Sequence, residues 1–234
     1  NDDKTKVHYI MIDKYILPQF ESNDNSIITL LTIGVSESII YKRIEDIIVK
    51  CKDIVKISFL PKYGKVNIRC HLVKNNNKVF YINIMNAIKK RLGNMIYGIN
   101  SDLLEAVVGK LLKNNQLSIS IAESCTGGLL SKKITDIPGA SDYFKGSIVA
   151  YSNKVKEKKL NVSKQTLNNY GAVSEQVVNE MAIGVSNYFK TNIGIAITGI
   201  SGPSGESKNK ALGDVYISIA YNGIIIKSKQ FNFN

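Results

Sequence analysis

A chain of 234 residues, 44% hydrophobic and 21% charged, holds enough apolar material for two modest cores. No uncharged apolar run approaches ~18 residues, so the sequence offers no membrane span. Three cysteines at 51, 70 and 125 form an odd set without metal-ligand spacing, which suits a reducing cytoplasm better than a disulfide scaffold and leaves no metal site to expect. The net charge of +12 divides as 16 Lys and Arg against 11 Asp and Glu in residues 1–108, and 15 against 8 in residues 109–234. So even a spread, in a chain rich in Lys, Asn and Ile throughout, argues for biased composition rather than a nucleic-acid partner.

The chain begins at Asn1 and reads as a fragment or processed product. Residues 1–25 read as a leader, with a strand candidate at His8–Ile12, a short helix or tether at Lys14–Phe20, and a polar loop to Asn25. Residues 26–98 form one small α+β unit in the order β-α-β-β-α. Ile27–Ile33 is a strand, and Ser36 caps a helix to about Lys50 with Ile39, Ile40, Ile44, Ile47 and Ile48 on one face. Val55–Leu60 and Lys65–Val73 are strands joined through Pro61-Lys62-Tyr63-Gly64, Asn75–Asn77 is a loop, and Val79–Leu92 is a second amphipathic helix stopped by Gly93. Asn94–Asn100 reads as a linker, which places a domain boundary at 99–101.

The second unit, 101–234, alternates helix and strand and reads as a layered α/β sandwich. A helix starts at Ser101-Asp102, Leu117–Ile121 alternates as a strand, and Leu129–Ile134 has helical spacing. Buried strands are expected at Ile148–Ala150 and Ile193–Ile200, helices at Asn153–Leu160, Ser163–Tyr170 and Glu175–Phe189, and a hairpin about Asn222-Gly223.

Between the strand ending near Ile121 and the helix beginning near Leu129 lies Glu123-Ser124-Cys125-Thr126-Gly127-Gly128. A helix cap would account for one hydroxyl. Four adjacent polar or nucleophilic groups before two glycines exceed what capping needs, and they sit where backbone N–H groups and the positive end of a helix face outward. A second glycine-rich loop follows the strand at 193–200 and includes Thr198, Gly199 and Gly202. Loops at the carboxyl ends of strands build the crevice of an open α/β sheet, and their N–H groups suit a phosphate or a developing oxyanion. The Gly-x-x-x-x-Gly-Lys-Ser/Thr pattern is absent. Both histidines lie outside this unit, at 8 and 71, which excludes a Ser-His-Asp triad within it. A serine nucleophile at 124 then needs another base, and a lysine of lowered pKa can serve; Tyr151-Ser152-Asn153-Lys154-Val155-Lys156 offers two, between which composition does not choose. Cys125 is a rival nucleophile, ranked second because no histidine accompanies it.

These residues carry a resemblance. Ala-Glu-Ser-Cys-Thr-Gly-Gly (122–128), Ile-Thr-Asp-Ile-Pro-Gly-Ala-Ser (134–141), Gly-Ser-Ile-Val-Ala-Tyr-Ser-Asn-Lys-Val-Lys (146–156), Gly-Ala-Val-Ser-Glu (171–175) and Ile-Thr-Gly-Ile-Ser-Gly-Pro (197–203) occur in the order found in the C-terminal nicotinamide-nucleotide amidase domain of the CinA family. Residues 26–98 resemble the family's KH-like middle domain, through Thr32–Ser38 and the turn at Leu60-Pro61 to Val66. Residues 7–20 look like the last segment of its molybdopterin-binding-like domain. The resemblance implies hydrolysis of nicotinamide mononucleotide to nicotinate mononucleotide and ammonia, without metal or cofactor. It implies Ser124 as nucleophile, Lys156 as base and Tyr151 assisting that lysine. Glu123, Cys125, Thr126, Gly127, Gly128, Asn153, Thr198, Gly199 and Gly202 would surround substrate and oxyanion, with the oxyanion held by N–H groups around Thr126–Gly128. It further implies a homodimer, and a Gly-Asp-Arg segment beyond Asn234 whose arginine contacts substrate. The alternative is a silent nucleotide-binding or assembly protein. Residues 26–98 contain no Gly-x-x-Gly clamp, so that module is expected to be structural, with no nucleic acid bound.

Overall fold

The structure is a computed structural model that describes residues 26–62, 64–73, 78–202 and 211–233. The elements expected at His8–Ile12 and Lys14–Phe20 and the loop at Asn75–Asn77 lie outside these residues. The chain divides into two units, residues 1–104 and 105–234.

In the first unit β1 (Ile27–Ile33), α1 (Glu37–Cys51), β2 (Val55–Lys62), β3 (Lys65–Leu72), α2 (Lys78–Leu92) and β4 (Ile96–Ile99) build an antiparallel sheet of order β2-β3-β1-β4. Strand alternation sends Leu30, Val66, Ile68, Cys70 and Leu72 to one face, where Ile40, Ile44 and Ile47 of α1 and Tyr81, Met85, Ile88 and Leu92 of α2 cover them. Ile39 does not join this core; it is 48% exposed, because it lies one position off the 40–44–47 stripe. Ser36 stands at the N-cap of α1, but its hydroxyl pairs with that of Ser38 instead of capping.

The stretch expected to be a linker contains β4. Its alternation is short, and Gly98 is what admits it: a Cβ there would meet Asp102 Cβ at 2.6 Å. The Asp102 carboxylate turns back to accept from Ile99 N–H at 2.8 Å, which finishes the strand before the next helix.

The second unit comprises α3 (Leu104–Asn114), β5 (Ile119–Glu123), α4 (Leu129–Thr135), β6 (Phe144–Val149), α5 (Asn153–Leu160), α6 (Lys164–Tyr170), α7 (Glu175–Phe189), β7 (Ile193–Gly199), β8 (Asp214–Tyr221) and β9 (Ile224–Asn232). The sheet order is β6-β5-β7-β8-β9, with β6, β5 and β7 parallel, β8 antiparallel to β7, and β9 antiparallel to β8. Asn222 and Gly223 take the positive φ values of 48° and 78° that a two-residue hairpin turn of this hand requires. One face carries Ile119 and Ile121 against Leu112 of α3 and Ile134 of α4; the other carries Ala122, Ala196 and Ala220 against Val177, Val178, Met181, Ala182 and Val185 of α7. This unit is a layered α/β sandwich, and it follows a small α+β unit in the chain. The small residues are what let α7 approach. A Cβ on Gly184 would overlap the Leu160 carbonyl, a backbone atom that cannot swing away. Gly184→Ala is therefore expected to cost about 3 kcal/mol, read as a fall of roughly 6–12 °C in the midpoint of thermal unfolding.

Candidate active site

Because β5, β6 and β7 are parallel, their carboxyl ends open on one edge, and three loops meet there. Glu123 ends β5, Ala150 follows β6 and donates its N–H to Glu123 O at 2.7 Å, and Ser124 N–H bonds Ile197 O of β7 at 3.0 Å. The ladder thus continues to Ser124 itself, so the nucleophile candidate is fixed by sheet backbone and not by a free loop.

Ser124 is 7% exposed and Lys156 only 1%. Lys156 Nζ lies 3.2 Å from Ser124 Oγ and donates to Ala150 O at 2.7 Å. Ser152 caps α5 by accepting from Val155 N–H, which sets the rotation of the helix. Lys156 then lies four residues before Leu160, on the inward face, while Lys154 is exposed. That spacing was available in the sequence as a sign favouring 156. Among the described residues no carboxylate pairs with Lys156. Burial pushes its pKa down from the ordinary lysine value, opposed weakly by Cys125.

A cavity of about 270 Å³ opens over this pair, lined among the described residues by Ser124, Cys125, Tyr151, Lys156, Thr198 and Gly199, together with Ala172, Val173, Ile200, Ser201 and Gly202. Thr198 is wholly buried, and its hydroxyl donates to Ala172 O at 2.9 Å. That bond draws the 171–174 loop to the cavity. Ala172 and Val173 were missed as site residues because nothing in their chemistry marks them. Gly199 is needed at the wall, since a Cβ would meet Val215 at 2.7 Å and Asp214 O at 2.8 Å. The Cys125 thiol faces the same space. Burial raises its pKa, against a lowering contact with Ser201, so it is protonated at neutral pH.

Several expected positions fall elsewhere. Glu123 is 0% exposed and does not line the cavity. Its carboxylate accepts from the N–H groups of Gly128 and Leu130 at 3.1 Å each, from Ser131 N–H at 2.8 Å and from the Ser131 hydroxyl at 2.5 Å, so it caps α4 from beneath. Burial alone would raise its pKa; the bonds from Ser131, Thr126 and the backbone outweigh burial and hold it below the usual carboxylate range. The buried Thr126 hydroxyl has no well-aligned partner, although it lies close enough to that carboxylate to contribute. Gly127 N–H is taken by Ser124 O and Gly128 N–H by Glu123, so neither glycine offers a donor to a ligand. Among the described residues, the N–H groups of Cys125 and Thr126 donate to no other residue, that of Cys125 facing its own thiol. Asn153 is exposed on α5, away from the cavity lining. Tyr151 lines the mouth, is 79% exposed, and is not among the hydrogen-bond partners of Lys156. No three His, Cys, Asp or Glu side chains among the described residues converge as metal ligands.

Glu123→Ala is expected to cost about 3 kcal/mol at pH 7, because several buried donors lose their acceptor. A depressed carboxylate stabilises the fold above its unfolded pKa and loses that contribution as pH falls through its folded value. The gap between the two proteins in urea unfolding should therefore close below the usual carboxylate range.

Residues 101–234 match the family described as the CinA C-terminal domain, and residues 28–98 match the Damage-inducible protein CinA KH domain. The chain belongs to the CinA family. A CinA-like protein of Dictyoglomus thermophilum is 39% identical over 219 residues, covering 91% of this chain and 53% of that protein. A CinA-like protein of Thermosipho melanesiensis is 44% identical over 186 residues, covering 80% of this chain and 45% of that one. The chain thus spans about half the length of these CinA relatives. The crystal structure of the competence/damage inducible protein CihA from Agrobacterium tumefaciens is 34% identical with a TM-score of 0.54, covering 56% of this chain and 79% of that one. Among the described residues no helix is long and apolar enough to cross a membrane.

Proposed function

We propose that this CinA chain carries a nicotinamide-nucleotide amidase site, which releases ammonia from nicotinamide mononucleotide through a Ser124 acyl-enzyme. The supporting observation is the 3.2 Å approach of a buried lysine amine to a buried serine hydroxyl, with no histidine in the unit. In its neutral form Lys156 donates to Ala150 O and turns its lone pair to Ser124. It takes the hydroxyl proton as Oγ attacks the carboxamide carbon. The oxyanion falls to the N–H groups of Cys125 and Thr126, which donate to no other described residue, in place of the glycine N–H groups that Glu123 and Ser124 already occupy. The Lys156 ammonium returns its proton to the departing nitrogen, ammonia leaves, and a water deprotonated by Lys156 resolves the ester to the nicotinate nucleotide.

In this reading Tyr151 positions substrate at the mouth and does not tune the lysine, and Thr198 holds the opposite wall. The domain limits 26–98 and 101–234, a homodimer and a reducing cytoplasmic setting belong to the same proposal. The test is ammonia release from nicotinamide mononucleotide, measured on this chain and on the longer protein. Saturable binding of the nucleotide without turnover in both would replace the amidase by a silent nucleotide-binding protein.

A further inference from the structure

Ser124 and Lys156 are framed by backbone. Ser124 N–H donates to Ile197 O at 3.0 Å, Ala150 N–H donates to Glu123 O at 2.7 Å, and Ala150 O accepts from Lys156 Nζ at 2.7 Å. The loop beyond Ser124 has no such frame. Residues 125–128 leave the sheet, turn at Gly127 and Gly128 with φ values of 60° and 103°, and enter α4. A Cβ on Gly127 would meet nothing within 4 Å, and one on Gly128 only Val149 at 3.7 Å, so packing does not wedge the turn. Hydrogen bonds hold it instead. Gly127 N–H returns to Ser124 O at 3.2 Å. Among the described residues the side-chain acceptor is a single group, the Glu123 carboxylate: Oε2 takes the N–H groups of Gly128 and Leu130, and Oε1 takes the N–H and hydroxyl of Ser131. Glu123 therefore anchors the loop at both ends, its carbonyl at the sheet and its carboxylate at the helix, with Cys125 and Thr126 strung between.

Given the amidase reading, on which this rests, we infer that Glu123 is a positioning residue for catalysis: its carboxylate aims the Cys125 and Thr126 N–H groups at the developing oxyanion. Such donors act only if they are in place before the charge develops, and a displacement of about 1 Å can cost about a hundredfold in rate. The two glycines give the loop the freedom to turn, and the carboxylate removes the freedom that is left. Glutamine does not substitute for it. In either orientation its NH2 opposes at least one backbone N–H that the carboxylate accepts, so one end of the grip opens. The bond from Lys156 to Ala150 O, and that from Ala150 N–H to the Glu123 carbonyl, do not involve this side chain. Nucleophile and base therefore keep their frame while the oxyanion donors lose theirs.

The experiment measures kcat and KM of the whole chain and its Glu123→Gln variant across pH, on nicotinamide mononucleotide and on its thiocarboxamide analogue. Sulfur is a weak acceptor, so the analogue draws little on the oxyanion donors. In Glu123→Gln, kcat on the carboxamide is expected to fall by about a hundredfold with KM within about threefold of the parent. On the thiocarboxamide the fall should not exceed about tenfold. The limb of kcat/KM that rises with pH, set by Lys156, should stay where it is in the parent. Circular dichroism melts establish that each variant folds. Ser131→Ala keeps the carboxylate and removes one of its donors; it should lose about threefold to tenfold on the carboxamide and less on the analogue, and it carries the test if the glutamine variant does not fold. Equal losses on the two substrates, a risen KM with kcat unchanged, a displaced pH limb, or full kcat in folded Glu123→Gln would each return Glu123 to a purely structural role while leaving the amidase reading intact. A parent that releases no ammonia, in this chain and in the longer protein, removes that reading and the positioning role together.

Discussion

Replacing Ser124 by alanine is expected to lower kcat for ammonia release from nicotinamide mononucleotide by about a thousandfold or more, with KM within a few-fold of the original. The hydroxyl is the atom that bonds the acyl carbon, so its loss falls on the transition state and not on ground-state binding. Cys125→Ala should stay within about tenfold of the parent. The two neighbours differ in environment, not in reach of the cavity. Lys156 is hydrogen-bonded to Ser124, whereas the Cys125 thiol has its pKa raised by burial and, among the described residues, no hydrogen bond to that amine. A thiolate would be the better nucleophile in water, and the site removes that advantage by keeping the sulfur neutral. The reverse outcome, activity surviving in Ser124→Ala and vanishing in Cys125→Ala, would move the covalent intermediate to sulfur and leave the serine as a hydrogen-bonding group. Trapping the acyl-enzyme and locating its mass on a peptide decides between them.

The parts of this site that the sequence reveals are those whose chemistry is local. The Glu123–Gly128 loop declares itself through nucleophiles set against glycines, and Asn222-Gly223 declares a hairpin through backbone preference. What escapes depends on rotation or on distant partners. Lys154 and Lys156 have the same side chain, and only the turn of α5, pinned by the Ser152 cap, sends one outward and the other into the core. Glu123 looks like a ligand-binding carboxylate beside a serine. Its four donors come from the first turn of the following helix, and a residue name cannot show that they face it. The stretch at 94–100 looks like a linker because four residues are too few for a clear period, and β4 exists through its pairing with β1.

The buried amine also makes an expectation about stability that runs against activity. Lys156→Met should abolish turnover, by about a thousandfold or more, and at the same time stabilise the protein by about 1 to 2 kcal/mol at neutral pH. The side chain is 1% exposed, has no carboxylate partner among the described residues, and takes up its proton in the fold only below the ordinary lysine value. Over the interval between the folded and unfolded pKa the unfolded chain binds the extra proton. Stability therefore falls as pH drops from about 10.5 to the folded pKa and is flat below it. Methionine removes that penalty, gives up only the bond to Ala150 O, and fills nearly the same volume. The gain should consequently be greatest below the folded pKa and shrink as pH approaches the lysine range. Thermal unfolding of both proteins across that range measures it. The same titration should appear in the parent's kcat/KM, as a limb that rises with pH where the neutral amine forms, and Lys156→Arg, which cannot lose its proton, should be as inactive as the methionine variant. A methionine variant less stable than the parent at every pH would mean that the ammonium is compensated within the fold, and a base that starts as a compensated ammonium could not take the Ser124 proton.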